Sequence, residues 1–160
     1  MLFVSDANIF IDLEKIGLLG EFDKLGIQIA TSDFVLNELH TPQKELVEKM
    51  KIEICALSPN ELAEFLQQYQ ALGRVKISVQ DYSIYYFASK YGGKVLSNDK
   101  ALRNFAKRNM VGVQGIFYIL DLIIQESTLE QHIIKQAIAL LLHNSWLPKN
   151  EINKRLEQLI

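Results

Sequence analysis

"VLSNDKALRNFA", residues 95–106, passes from an apolar run into three polar residues, Ser97, Asn98 and Asp99, and then into a stretch of helical periodicity. An apolar run handing over directly to a helix is the β–α step of a parallel sheet, because parallel strands need a crossover between them. The same step opens the chain. "LFVS" ends at Asp6, and Ile9, Phe10, Leu13, Ile16 and Leu19 then fall on one helical face. "IQIA" (27–30) predicts a second strand, with Thr31–Ser32–Asp33 as capping residues for a helix over "FVLNELH". "KIEICAL" predicts a third strand, and "SPNE" (58–61) a capping box opening a helix that runs to Gly73. "SVQD" (78–81) resembles a second capping box, and its helix stops at Gly92–Gly93. "KVLS" is the fourth strand, a helix covers about 99–109, and "VGVQ" (111–114) is the fifth strand. From Gly115 two or three helices follow, with breaks at Ser127–Thr128 and Leu147–Pro148.

Strands alternating with helices predict the α/β class, a parallel sheet with helices on both faces. In such open sheets ligands bind at the carboxyl ends of the strands, where the strand order reverses. The 160 residues, 49% hydrophobic and 22% charged, suit one globular domain with an ample core. The single cysteine, Cys55, excludes an intrachain disulfide and fits a reducing, cytoplasmic setting. The N-terminus lacks a basic region before its apolar run, and no later run is long enough to span a bilayer, so neither a signal peptide nor a membrane segment is expected. A net charge of −2 argues against indiscriminate nucleic-acid binding, though not against a local basic face.

Two strands end in aspartate, Asp6 and Asp99. If those strands are neighbours at the reversal point, their carboxylates meet at the mouth of the sheet. Glu38, in the helix after the second strand, and Asp81, in the first turn of the helix before the fourth, can reach the same place. Clustered carboxylates repel and raise one another's pKa, and a divalent cation removes that repulsion. An all-oxygen donor set suits Mg²⁺ or Mn²⁺. Such a centre supports metal-assisted phosphodiester hydrolysis. Lys100, Arg103 and Lys107, at i, i+3 and i+7, form a basic stripe beside Asp99 that could face phosphates.

"VSDANIFIDL" (4–13), "SDFVLNEL" (32–39), "SVQDYSIYYFASKYGGKVLSNDKALRNFA" (78–106) and "GVQGIFYIL" (112–120) together resemble a PIN-domain nuclease, with a tail like that of the VapC-type toxin-like subgroup. The resemblance implies a three-layer α/β/α fold with a five-stranded parallel sheet of order 3-2-1-4-5. It implies one domain over 1–160, with a core of about 1–120 and a C-terminal helical extension of about 121–160. It also implies a Mg²⁺- or Mn²⁺-dependent endoribonuclease, the toxin of a toxin–antitoxin pair, with RNA as substrate, a small antitoxin protein as partner and a homodimer as the assembly. Asp6, Glu38, Asp81 and Asp99 match the catalytic and metal-holding positions, and Asn8, Asn98, Lys100, Arg103 and Lys107 are the candidates for nucleic-acid contact. Where many members carry a further acid, this chain has Lys100.

The bland alternatives are specific. Asp6 and Asp81 can act as helix caps, Glu38 as a solvated residue, and the basic stripe as an ordinary helix face. His40, His132 and His143 lack metal-ligand spacing. The tyrosines around Tyr82–Tyr91 can stack on bases or fill the core. A non-catalytic PIN-like module that binds nucleic acid or protein is the competing function. A phosphoaspartate enzyme is disfavoured, because Asn8 stands where a second aspartate is needed.

Overall fold

The computed structural model describes residues 1–144 and 146–159; Ser145 and Ile160, both within the expected C-terminal extension, lie outside the described residues. Along the chain come β1 (Leu2–Ser5), α1 (Ala7–Lys15), α2 (Leu19–Lys24), β2 (Gln28–Ser32), α3 (Asp33–Leu36), α4 (Thr41–Lys49), β3 (Glu53–Cys55), α5 (Pro59–Ala71), α6 (Val79–Lys90) and β4 (Lys94–Leu96). They are followed by α7 (Lys100–Arg108), β5 (Val113–Gln114), α8 (Ile116–Glu126), α9 (Gln131–Ala139), a 3₁₀ turn (Leu140–His143) and α10 (Lys149–Gln158). The strands form the expected parallel sheet, flanked by helices, in the order β3-β2-β1-β4-β5. Val4 sits opposite Ala30 on one side and Val95 on the other, so the order reverses between β1 and β4.

The chain divides into two compact units, Met1–Ile9 with Ile27–Gln114 and Phe10–Gly26 with Gly115–Ile160. The first holds the sheet. α6 packs along β1, β2 and β4, α3 on β2, and α7 on β5. Val4, Ile84, Phe87, Val95, Leu96 and Leu102 are fully buried there. Buried hydroxyls cross-link the same layer. Thr31 Oγ1 donates to the Ser5 carbonyl at 2.8 Å, and the Ser32 and Ser83 hydroxyls bond each other at 2.7 Å. Gly92, at φ +66, closes α6 in the left-handed region. At Gly93 a Cβ would lie 2.7 Å from the Leu2 carbonyl oxygen. Gly93→Ala is therefore expected to lower stability by about 1–3 kcal/mol, read from the urea midpoint.

In the second unit α8 buries Ile116, Ile119, Leu120 and Ile123, packing on α2 and α9. Asp121 looks misplaced in this apolar run until its partner is seen. Arg155 of α10, only 8% exposed, donates from Nε and Nη2 to its two oxygens at 2.7 and 2.8 Å, with the guanidinium over the Phe117 ring. Arg155 is the buried member of the pair, and Asp121, whose side chain is 43% exposed, supplies the bidentate carboxylate its guanidinium needs.

Three expectations need correction, and one helix goes unassigned in the sequence. The helix expected over residues 9–19 is two helices, because Gly17 (φ +77) breaks it and Leu18 bonds back to the Leu13 carbonyl. The helix over "FVLNELH" ends at Leu36. Leu39 turns inward and His40 is extended to begin α4, so Asn37 and Glu38 form a turn. α4 had no sequence assignment beyond the proline near its start. The fifth strand shrinks to two residues, since Met110 (φ +64) and the bond from Val111 N–H to the Ala106 carbonyl belong to the end of α7. Met110 is exposed and left-handed without being glycine, so Met110→Gly is expected to raise stability by about 1 kcal/mol in chemical denaturation. Among the described residues no helix is long and apolar enough to cross a membrane.

Candidate functional site

The β1/β4 register brings Ser5 level with Leu96, so the next residues, Asp6 and Ser97, leave the sheet side by side. Asp6 N–H donates to the Leu96 carbonyl at 3.2 Å. Its side chain does two local jobs. Oδ1 accepts the Ile9 N–H at 3.2 Å, capping α1, and Oδ2 accepts a short hydrogen bond from the Ser97 hydroxyl. Ser97 Oγ in turn accepts the Asp99 N–H at 3.0 Å, and Asp99 Oδ1 caps α7 by accepting the Leu102 N–H at 2.8 Å. One buried hydroxyl thus ties the two strand-end aspartates together.

Asp81 enters from the first turn of α6, where Ser78 Oγ accepts its N–H at 3.0 Å. The Ser32–Ser83 bond fixes that turn to the end of β2, from which α3 and then Glu38 follow.

The charges report the proximity of the four acids. Burial pushes the Asp6 carboxyl up to about 7, and the charges of Asp81 and Asp99 push in the same direction, while Ser97 and Ile9 pull against them. Asp81 is raised by burial and then by Asp99. Glu38 is raised by burial and then by Asp81. No lysine or arginine is among the groups that shift these three carboxyls. Repelling acids without a basic partner form a donor set that fits a hard divalent cation. Both oxygens of Asp6 and Oδ1 of Asp99 accept hydrogen bonds from backbone and hydroxyl donors. Among the described residues no three acidic, imidazole or thiol groups converge on a single ion position. The fit is thus one of donor chemistry and charge.

The four expected carboxylates, Asp6, Glu38, Asp81 and Asp99, therefore share one electrostatic neighbourhood. The five nucleic-acid candidates are spread around it. Asn8 is exposed in the first turn of α1, and Asn98 is half-buried between Ser97 and Asp99. Lys100 and Lys107 are exposed at the two ends of α7. Arg103 is half-buried, and its Nη1 donates to the Ser97 carbonyl at 2.8 Å. Its guanidinium thus braces the turn that carries Asp99. Sequence reasoning did not assign Ser97 a role. The available signal was its position, a hydroxyl ending a buried strand two residues before an acid.

The family model DUF3368, a PIN domain, matches residues 2–160. No curated protein matches the chain. Among solved structures it is similar to a PilT N-terminus domain protein from the hyperthermophilic archaeon Sulfolobus solfataricus P2, with 13% identity and a TM-score of 0.49 over 81% of this chain and 98% of that one. PIN domains are generally nucleases that use divalent metal ions. The family match spans the whole sheet together with Asp6, Glu38, Asp81 and Asp99, and the chain belongs to the PIN-domain family.

Proposed function

We propose that the chain is a Mg²⁺- or Mn²⁺-dependent endoribonuclease whose centre is Asp6, Glu38, Asp81 and Asp99. The observation that carries this is the set of acids at the β1/β4 reversal, where burial and then the charges of Asp81 and Asp99 raise Asp6 and no basic group is among the causes of the Asp6, Glu38 and Asp81 shifts. A divalent cation held there supplies Lewis acidity toward a phosphoryl oxygen and lowers the pKa of water. The chain's own residues do the positioning. Asp6 is locked by the Ile9 N–H and the Ser97 hydroxyl, and Asp99 by the start of α7. Glu38 and Asp81, on the turn after α3 and the first turn of α6, complete the carboxylate set and orient the attacking water. Lys100 and Lys107 supply cations for the phosphate backbone.

The reading extends to a cytoplasmic toxin, paired with a small antitoxin protein and assembled as a homodimer. A small open reading frame beside the gene and light scattering of the purified chain test those parts. Mn²⁺ calorimetry on the wild type, Asp6→Asn and Asp99→Asn tests the centre. Binding by the wild type that both substitutions abolish is the expected result. A metal-free wild-type sample that is folded but takes up no Mn²⁺ would favour the second reading, a non-catalytic binding module. Lys100, directly after Asp99, is the observation on that side.

A further inference from the structure

We propose that the cleft lined by Gln68, Tyr82, Tyr85, Tyr86, Ser89 and Lys90 is a subsite that stacks one unpaired nucleobase of the RNA next to the scissile phosphate. The proposal rests on the nuclease reading and adds to it where the neighbouring nucleotide goes.

The placement follows from α6. Asp81, Tyr85 and Ser89 stand at i, i+4 and i+8 and so share one stripe of the helix. Asp81 begins that stripe among the carboxylates, and Tyr85 is one turn further on, about 6 Å along the axis. A strand whose phosphate lies at the acids and which follows α6 brings its next base onto the tyrosines.

The walls suit a base. Tyr85 meets Phe105 edge to face, with centroids 4.8 Å apart at 88°. Tyr86 meets Phe65 the same way, at 5.2 Å and 89°. Tyr82 is buried behind them, 5.1 Å from Phe65. Tyr85 and Tyr86 are themselves only half-buried, so part of each ring faces the opening. These rings are already immobilised by their neighbours, which removes much of the ordering cost of binding. The cleft measures about 320 Å³, the lower end of the ~300–1,000 Å³ range for small-ligand clefts.

The rim adds polarity of the right kind. Gln68 offers an amide and Ser89 a hydroxyl for the edge of a base. Lys90, held by Glu61 at 2.7 Å, keeps its ammonium 6.0 Å from the centre of the Tyr86 ring. Among the described residues no acid lines the cleft itself. Aromatic walls with a cation and neutral hydrogen-bonding groups are the chemistry that holds single-stranded bases.

Two probes test this and separate it from the nuclease reading. Adenosine and uridine 5′-monophosphates at millimolar concentration in EDTA, followed by tyrosine ring NMR, need no metal and no cleavage. They are expected to shift the Tyr85 and Tyr86 ring signals. Tyr85→Leu should lose the response and Tyr85→Phe should keep it. In parallel, wild-type cleavage of RNAs carrying a single abasic site should fall roughly 10- to 100-fold at one fixed offset from the cut. This arm needs no variant to fold. Cleavage indifferent to every abasic position, with no tyrosine response, would overturn the subsite and leave the nuclease standing. Mononucleotide binding without any cleavage would overturn the nuclease reading and leave a base-binding cleft. If neither is seen, both proposals fail.

Discussion

Asp99→Asn is expected to reduce metal-dependent RNA cleavage by about 100-fold or more while leaving the unfolding midpoint nearly unchanged. The two halves of that result come from two different jobs of one side chain. As a cap, Asp99 accepts the Leu102 N–H through Oδ1, and asparagine caps a helix as well as aspartate does. The substitution gives up a favourable charge at the start of α7, worth about 0.3–1 kcal/mol. It also relieves the repulsion that Asp99 exerts on Asp6 and Asp81, which offsets that loss. As a ligand, asparagine presents a neutral oxygen or an amide where the centre needs an anion. Asp99→Ala gives the contrast. It should lose cleavage equally and also about 1 kcal/mol of stability, because the cap goes with the charge. Equal stability losses for Asn and Ala would show that capping is not what Asp99 does. Cleavage unchanged by Asn would remove Asp99 from the centre.

Most of the scaffold was legible because its signals are local. The strand-to-Asp steps at Asp6 and Asp99, the Ser58 and Ser78 caps and the Gly92 stop each depend on a few adjacent residues, and each is found where it was read. The strand order came from the family resemblance, since no local pattern encodes which parallel strands adjoin. The misses share a cause. Gly17 ends a helix whose apolar spacing continues past it, and α3 yields to a turn because Leu39 is drawn into the core. In both cases backbone conformation or tertiary burial overrides the periodicity. Asp121 was unreadable for a related reason. Its partner Arg155 lies 34 residues away, and a pairing at that distance leaves no mark in either segment. For the site, four acids in order were enough to nominate Asp6, Glu38, Asp81 and Asp99. Ser97 and Arg103 acquire their roles only through contacts that the sequence does not encode, the hydroxyl bridging Asp6 to the Asp99 amide and the guanidinium bracing the Ser97 carbonyl.

The stability of the metal-free chain is expected to fall as pH rises from about 4 to about 7, and Asp6→Asn is expected to remove most of that fall. Burial raises the Asp6 carboxyl from 3.8 to about 7. Between those values the folded chain keeps a proton that the unfolded chain releases. The unfolded state therefore binds fewer protons, and stability declines with pH across that window. Below it the contribution is fully present, and above about 7 it is lost. The size is on the order of 4 kcal/mol at most, because a buried carboxylate relaxes and admits water. Asp81 and Glu38, raised for the same reasons, add to the slope in the same direction. Asparagine at Asp6 keeps a cap for α1 and carries no charge to bury. At pH 8 the variant should therefore melt above the wild type, by roughly 4–8 °C for about 2 kcal/mol in a chain of this size. A cation competes with that proton for the same carboxylate. Mn²⁺ should accordingly raise the wild-type melting temperature more at pH 8 than at pH 5, and should leave Asp6→Asn where it is. Melting curves from pH 4 to 8, with and without Mn²⁺, read all of this at once. A wild-type profile flat across that range would mean that Asp6 is ionised in the folded chain. A centre of repelling acids would then have no energetic basis.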